Sequence, residues 1–289
     1  MTFRTDRDLG GTLSRLFIHP VKSCAAIAVP EALLMPTGLE WDRTWMVVDP
    51  AGEFLTQRTV PRMALVRPQL DAQALSLHAP GMPVLRVALQ AGGPVAQVRV
   101  WDDAVPARDT GEEAARWFSE CLGRPCRLVR FDPAHRRLSS LRWTDGVEAP
   151  NQFADAYPVL LASEASLQEL NVRLQTAGAP AAAMERFRAN IVIDGLEAHD
   201  EDRIDDLHID AEGGLACLRP VKPCTRCPIP DIDPATAEST PDVGDALRAY
   251  RQDRRVNGAI TFGMNAIVLE GAGRVLRVGQ RIAADWRFD

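Results

Sequence analysis

The sequence predicts a mixed α+β fold, rich in β-structure and divided into two parts. Three observations carry this. Short apolar runs recur at close spacing, with Pro and Gly in several of the gaps, which suggests a barrel or sandwich rather than βαβ units. Only three stretches read as helices. A polar stretch at residues 136–150, carrying Gly146 and Pro150, lies between the two parts.

Residues 1–11 read as a loose arm. A first strand is expected at 13–18, closed by His19-Pro20. A second covers 27–29 and 32–35, interrupted by Pro30, with a turn at Pro36-Thr37-Gly38. Residues 41–48 read as a third strand, on which Trp41, Arg43, Trp45 and Val47 share a face because strand side chains alternate. Asp49-Pro50-Ala51-Gly52 is a strong turn signal that ends it. Short strands follow at 64–66, 75–77, 84–89 and 98–101. A helix is expected at 110–122, where Ala114, Trp117, Phe118, Cys121 and Leu122 fall on one face and Gly123 stops the turn.

In the second part a strand at 157–161 leads to a helix capped by Ser163 and running to about Gln175. Arg188, Asn190 and Val192 read as one face of a strand centred on 191–193. An acidic loop spans 197–206. Strands at 207–209 and 215–218 deliver the chain to a proline-rich cysteine loop. A helix near 241–250 and strands at 259–262, 266–269 and 275–278 complete the chain.

A chain of 289 residues is long enough for two modest domains with a full core. A net charge of −6 argues against general nucleic-acid binding. The polar N-terminus lacks the apolar segment of a signal peptide, and no run reaches the ~18 apolar residues of a membrane span. A cytoplasmic protein without a membrane segment is expected, with its six cysteines reduced.

The chemistry points to residues 219–234. Cys224 and Cys227 stand in Cys-x-x-Cys spacing among prolines, and Cys227 precedes Pro228. Proline fixes φ and keeps the preceding residue extended, so a helix-start redox pair is disfavoured. A stiff loop presenting a thiol suits a soft metal. A zinc site combining this pair with Cys121 and Cys126 is an alternative. Lys22 and Ser23 follow the first strand without the glycines of a phosphate loop. Arg43 among large apolar side chains needs either a carboxylate or a bound anion. Arg188, at a strand start, reads on its own as a side chain that ends in water. The five histidines show no ligand spacing, and Gly271-Ala272-Gly273 lacks the third glycine of a dinucleotide fingerprint.

Seven motifs in order resemble the MOSC family, closest to the subgroup with an N-terminal β-barrel domain. They are His-Pro-Val-Lys-Ser at 19–23, Asp-Arg-Thr-Trp at 42–45, Ser-Glu-Ala-Ser-Leu at 163–167 and Arg-Phe-Arg-Ala-Asn-Ile-Val-Ile at 186–193. Lys-Pro-Cys-Thr-Arg-Cys at 222–227, Asp-Pro at 233–234 and Thr-Phe-Gly-Met-Asn at 261–265 complete the set. The resemblance implies an N-terminal MOSC-type β-barrel domain over 12–132, then a MOSC β-barrel domain with a few helices over 133–287. It implies a molybdenum cofactor, a mononuclear molybdenum on a pterin dithiolene, with Cys227 as the protein ligand and reacting centre. Lys22, Ser23, Arg43 and Arg188 match positions that hold pterin and phosphate, and Ser163, Asn190, Thr225 and Asn265 match lesser contacts. Asn265 stands where some relatives carry tyrosine.

The implied activity is reduction of N-hydroxylated compounds: hydroxylamines, amidoximes or N-hydroxylated bases. The cysteines lack plant-type iron–sulfur spacing, so electrons are expected from a separate flavin or iron–sulfur protein. A cofactor or sulfur carrier without redox turnover is the alternative.

Overall fold

Residues 6–90 and 92–287 are described in the computed structural model. Seven strands close a barrel: β1 (Leu9–Ile18), β2 (Val159–Ser163), β3 (Ile191–Asp194), β4 (Ile204–Ala211), β5 (Gly214–Thr225), β6 (Ala259–Glu270) and β7 (Arg281–Trp286). Their order is β2-β3-β1-β7-β4-β5-β6, and β6 pairs back onto β2. Only β2 and β3 run parallel. A parallel pair needs a crossover, and the helix α2 (Glu164–Thr176) supplies it. Leu13, Leu16, Ile191, Ile193, Leu207, Ile209 and Leu218 fill the inside. The first strand of the chain therefore belongs to the barrel built otherwise from the second half.

Between β1 and β2 lies the N-terminal unit. A four-stranded sheet orders Trp45–Val48, Arg127–Phe131, Asp103–Asp109 and Val95–Val100. A three-stranded sheet holds Arg67–Leu70, Ala74–His78 and Leu85–Ala88. The helix α1 (Glu112–Leu122) shares one core with both sheets through Trp117, Phe118, Trp45, Leu77, Leu85 and Leu128. Its apolar face is the one read from the sequence, and Gly123 ends it with a left-handed φ of 67°. The helix α3 (Asp242–Tyr250) seats Val243 and Leu247 in a third cluster with α2.

Several expected elements shift. β1 starts at Leu9, so part of the expected arm is strand; residues 1–5 lie outside the described residues. The expected strand at 41–48 is strand only from Trp45, because Trp41 and Arg43 are left-handed (φ 66° and 49°) and break the alternation. Residues 64–66 fall at the end of a 3-10 turn, Pro61–Leu65. Arg188 is also left-handed, at the end of the 3-10 turn Met184–Phe187, so it is not on a strand face with Asn190. The acidic loop gives way to β4 at Ile204. The strands expected at 259–262 and 266–269 are one strand, β6. The strands Asp103–Asp109, Arg127–Phe131 and β7 are not expected from the sequence.

Candidate functional site

The chain after β1 is laced to the turn at 41–44. His19 N donates to Asp42 Oδ1 (2.8 Å), and Arg43 N donates to His19 O (2.8 Å). Trp45 N donates to Pro20 O (2.9 Å), and Lys22 N donates to Trp45 O (2.8 Å). This places Lys22 where its side chain is buried. Its Nζ donates to Phe153 O (2.7 Å) and pairs with the Asp155 carboxylate. Burial lowers the Lys22 pKa, and the Asp155 carboxylate opposes that. His19 is wholly enclosed, and burial together with Arg43 and Arg188 lowers its pKa well below the usual imidazole value, against the pull of Asp42.

Ser23, Arg43 and Arg188 all sit in the left-handed region, at φ 65°, 49° and 59°. Non-glycine residues there cost about 1–3 kcal/mol each and persist only where the surroundings over-determine them. The surroundings do so here. Gln57 Nε2 donates to Ser23 O (2.8 Å). The Arg43 guanidinium donates to Asp42, to Asn190 Oδ1 (3.1 Å) and to Arg188 O (3.1 Å). Asn190 ties three segments together: Oδ1 also accepts from Leu160 N (3.1 Å), and Nδ2 donates to Phe17 O (3.2 Å).

Arg188 is the least compensated group. Its Nη1 donates to Cys24 O (2.6 Å), while its buried Nη2 has no hydrogen-bond partner among the described residues. Burial, and next the neighbouring Arg43 charge, push its pKa down to about 10. A buried guanidinium held this way leaves a place for an anion.

The cysteine segment is built by β5. It pairs with β4 only from Gly214 to Leu218; beyond that it keeps β6 alone. Pro220 and Pro223 fall in this one-sided stretch, where a missing N–H costs no ladder bond. After Thr225, Arg226 N donates to Ile260 O (2.9 Å), and Cys227 follows in irregular backbone before Pro228. Cys227 and Cys224 are both half-buried. Cys224 Sγ accepts from Arg226 Nη1 (3.0 Å), and Arg226 Nη2 donates to Phe187 O (3.1 Å).

These groups line one cavity of about 890 Å³, its mouth included. Cys227, Lys22, Ser23, Arg43, Arg188, Asn190, Thr225 and Asn265 all stand on its wall. Lys222, Arg226 and Asp155 join them, unexpected from the sequence. Lys222 and Arg226 lie inside the quoted cysteine motif and could have been read there. Nothing marks Asp155. Five cationic side chains (Lys22, Arg43, Arg188, Lys222 and Arg226) thus share the wall with two thiols, Cys224 and Cys227, against a single lining carboxylate. Such a wall fits a soft metal held by one thiolate on a polar, anionic organic ligand.

Ser163 does not stand with the others. It is fully buried away from this wall. Its hydroxyl caps α2 by accepting from Ser166 N (3.1 Å) and donates to Glu201 Oε2 (2.9 Å). The two cysteine pairs also stay apart: Cys121 and Cys126 pack in the N-terminal core, and Cys224 packs against the α2–α3 cluster. Among the described residues no group of three or more His, Cys, Asp or Glu could hold a metal ion.

Comparison with known proteins gives two domain matches. The MOSC N-terminal beta barrel domain matches residues 10–125, and the MOSC domain matches residues 148–283. The mitochondrial amidoxime-reducing component 1 of Mus musculus is 33% identical over 286 residues, covering 94% of this chain and 82% of the relative. The mitochondrial amidoxime reducing component 2 of Rattus norvegicus is 37% identical over 253 residues, covering 83% and 72%. The molybdenum cofactor sulfurase of Danio rerio is 34% identical over 269 residues; the match covers 88% of this chain but 31% of that longer protein.

Proposed function

The chain belongs to the MOSC family, joining a MOSC N-terminal β-barrel domain to a MOSC domain, and we propose that it is a molybdenum cofactor-dependent oxidoreductase. Its substrates are N-hydroxylated compounds: hydroxylamines, amidoximes or N-hydroxylated bases. The observation that supports this best is Cys227 sharing one cavity with Arg188, whose buried Nη2 lacks a partner.

Cys227 would ligate the metal. Lys22, Ser23, Arg43 and Arg188 would hold the pterin and its phosphate, with Asn190, Thr225 and Asn265 in lesser contacts. The cofactor, when bound, supplies the two-electron chemistry that takes oxygen from nitrogen. The overall change is an N–OH group plus two electrons and two protons giving N–H and water. The electrons come from a separate flavin or iron–sulfur protein. The chain's own residues orient and neutralise. Arg43 and Arg188 are fixed before any ligand arrives, by Asn190 and the backbone, so little ordering entropy remains to be lost on binding. Free thiols at all six cysteines fit a reducing compartment, and we place the protein in the cytoplasm.

The test is reduction of benzamidoxime by full-length protein from a molybdenum-replete host, with a reduced viologen dye as donor. Wild type is expected to form the amidine, and Cys227→Ala to lose at least a hundredfold. A Cys227→Ala protein that keeps its metal and activity contradicts the proposal. Similarity to the sulfurase favours a second reading, a cofactor or sulfur carrier. Protein that holds molybdopterin yet reduces no N–O compound with any donor would support it.

A further inference from the structure

A second cavity adjoins the first. Its void, mouth included, is about 960 Å³, and it shares Asp155, Ala156, Tyr157 and Lys222 with the cavity that holds Cys227. Its walls come from four places: the turn at Trp101, the segment 137–143, the bend at 155–157 just before β2, and Lys222 of β5. We propose that this groove seats the body of the substrate, and that it selects flat aromatic N-hydroxylated compounds carrying an anionic substituent. The assignment rests on the oxidoreductase reading above and adds a substrate class to it.

Trp101 and Trp143 give the groove its aromatic surface. Trp101 is 48% exposed, yet it is held on several sides. Its Nε1 donates to Asp155 Oδ1 (3.2 Å), the Arg58 guanidinium lies 4.7 Å from the ring centroid, and Phe54 packs edge-on at 5.1 Å. Its backbone is left-handed, φ 57°, a conformation a bulky residue adopts rarely and at a cost. An exposed, strained and firmly held indole at a cavity wall is a stacking surface more than a core residue. Trp143 lines the same groove, half-buried.

Asp155 pairs with Lys22, and Arg137 pairs with Asp103 (2.7 Å) while also donating to Asn151, Gln152 O and Ala154 O. These groups are occupied. The Lys222 and Arg142 side chains have no carboxylate within ion-pair distance among the described residues, and each lies 6.0 Å from the Trp143 ring centroid. Among the described residues Asp102 is the one carboxylate on this wall outside an ion pair, so two such cations face one such anion. Lys222 stands on the seam between the cavities. An anionic substituent on the outer end of an aryl ring would meet Arg142 and Lys222 while the N–OH end points toward Cys227.

The experiment compares benzamidoxime, 4-carboxybenzamidoxime, a 4-trimethylammonio derivative and acetamidoxime on the molybdenum-loaded full chain. Both kcat/KM and the dissociation constant from tryptophan quenching are read. The carboxylate is expected to bind roughly five- to tenfold tighter than the neutral ring, and the cation more weakly. Arg142→Ala, outside the cofactor cavity, is expected to raise KM for the carboxylate about fivefold and so to remove most of its advantage over benzamidoxime. Trp143→Leu is expected to weaken all three rings and spare acetamidoxime. Equal dissociation constants across the series in wild type, or an Arg142→Ala protein that keeps the carboxylate preference, would overturn the groove assignment. Ring and charge selectivity in binding without any turnover would keep the groove and refute the oxidoreductase reading.

Discussion

Arg188 shows how one residue joins strain, charge and ligand. It holds a left-handed backbone, stands beside Arg43, and keeps an unpartnered buried Nη2. The single bond its side chain donates, to Cys24 O, does not offset a buried charge beside Arg43, so Arg188→Met is expected to leave the cofactor-free protein at least as stable in thermal melts. The same variant is expected to lose at least tenfold in retained pterin, measured by fluorescence after denaturation. A melting point several degrees lower with normal pterin would show that Arg188 is a structural residue. Glu201 carries a separate pH signal. It is fully buried, accepts from Ser163 and Ser166, and burial, with Asp202 next, pushes its pKa up to about 7 from 4.5. A raised carboxyl pKa means the folded state holds the proton more tightly. Its contribution is complete below pH 4.5 and is lost as pH rises through 7, at about 1.4 kcal/mol per unit in that window. Urea titrations should show Glu201→Gln flattening this fall; an unchanged slope would assign it to other groups. At this scale the motif order made Lys22, Ser23, Arg43, Arg188 and Cys227 legible, though not their backbone. Alternation in Trp41–Trp45 reads as strand, and only tertiary bonds from His19 and Asn190 reveal the left-handed turn. Ser163 was legible as a helix cap, and its second partner, Glu201, is 38 residues away.

Elements explain why the cysteine loop is stiff. β5 and β6 run together from Cys217 to Thr225, and the register slips three times on the way. Gly263 sits in β6 with φ 73°, and a Cβ there would lie 2.6 Å from Leu161 O across the barrel seam. Gly263→Ala is therefore expected to cost about 2–4 kcal/mol in urea unfolding, by forcing β6 off β2. A loss below about 0.5 kcal/mol would mean the seam yields easily. Helices α1 and α2 were readable because their periodicity and caps are local. Strand Asp103–Asp109 was not, because Pro106 and its charges hide it. Pro106 is tolerated where the strand pairs with Val95–Val100 but no longer with Arg127–Phe131. Such one-sided pairing is a property of the sheet and leaves no mark in the segment.

The whole molecule is interleaved. β1 closes the barrel between β3 and β7, then hands the chain to His19–Ser23 at the site before the N-terminal unit begins. A fragment of residues 133–287 lacks that strand and Lys22, and is expected to show no cooperative thermal transition by circular dichroism. A sharp two-state melt from that fragment would contradict the interleaving. The two-part, β-rich organisation was legible from strand spacing; the membership of the first strand in the later barrel was not, because its partners lie about 180 and 270 residues further along the chain. The cavity is a product of this return, since Lys22 and Arg43 come from one end of the chain and Arg188 and Cys227 from the other. The most direct test of that convergence is molybdenum and pterin per protein, measured together by elemental analysis and fluorescence on protein from a molybdenum-replete host. Wild type is expected to approach one of each, Cys227→Ala to lose the metal, and Arg43→Ala to lose both. Wild-type protein carrying neither, or Cys227→Ala carrying a full complement of metal, would contradict a thiolate-held molybdenum cofactor in this cavity.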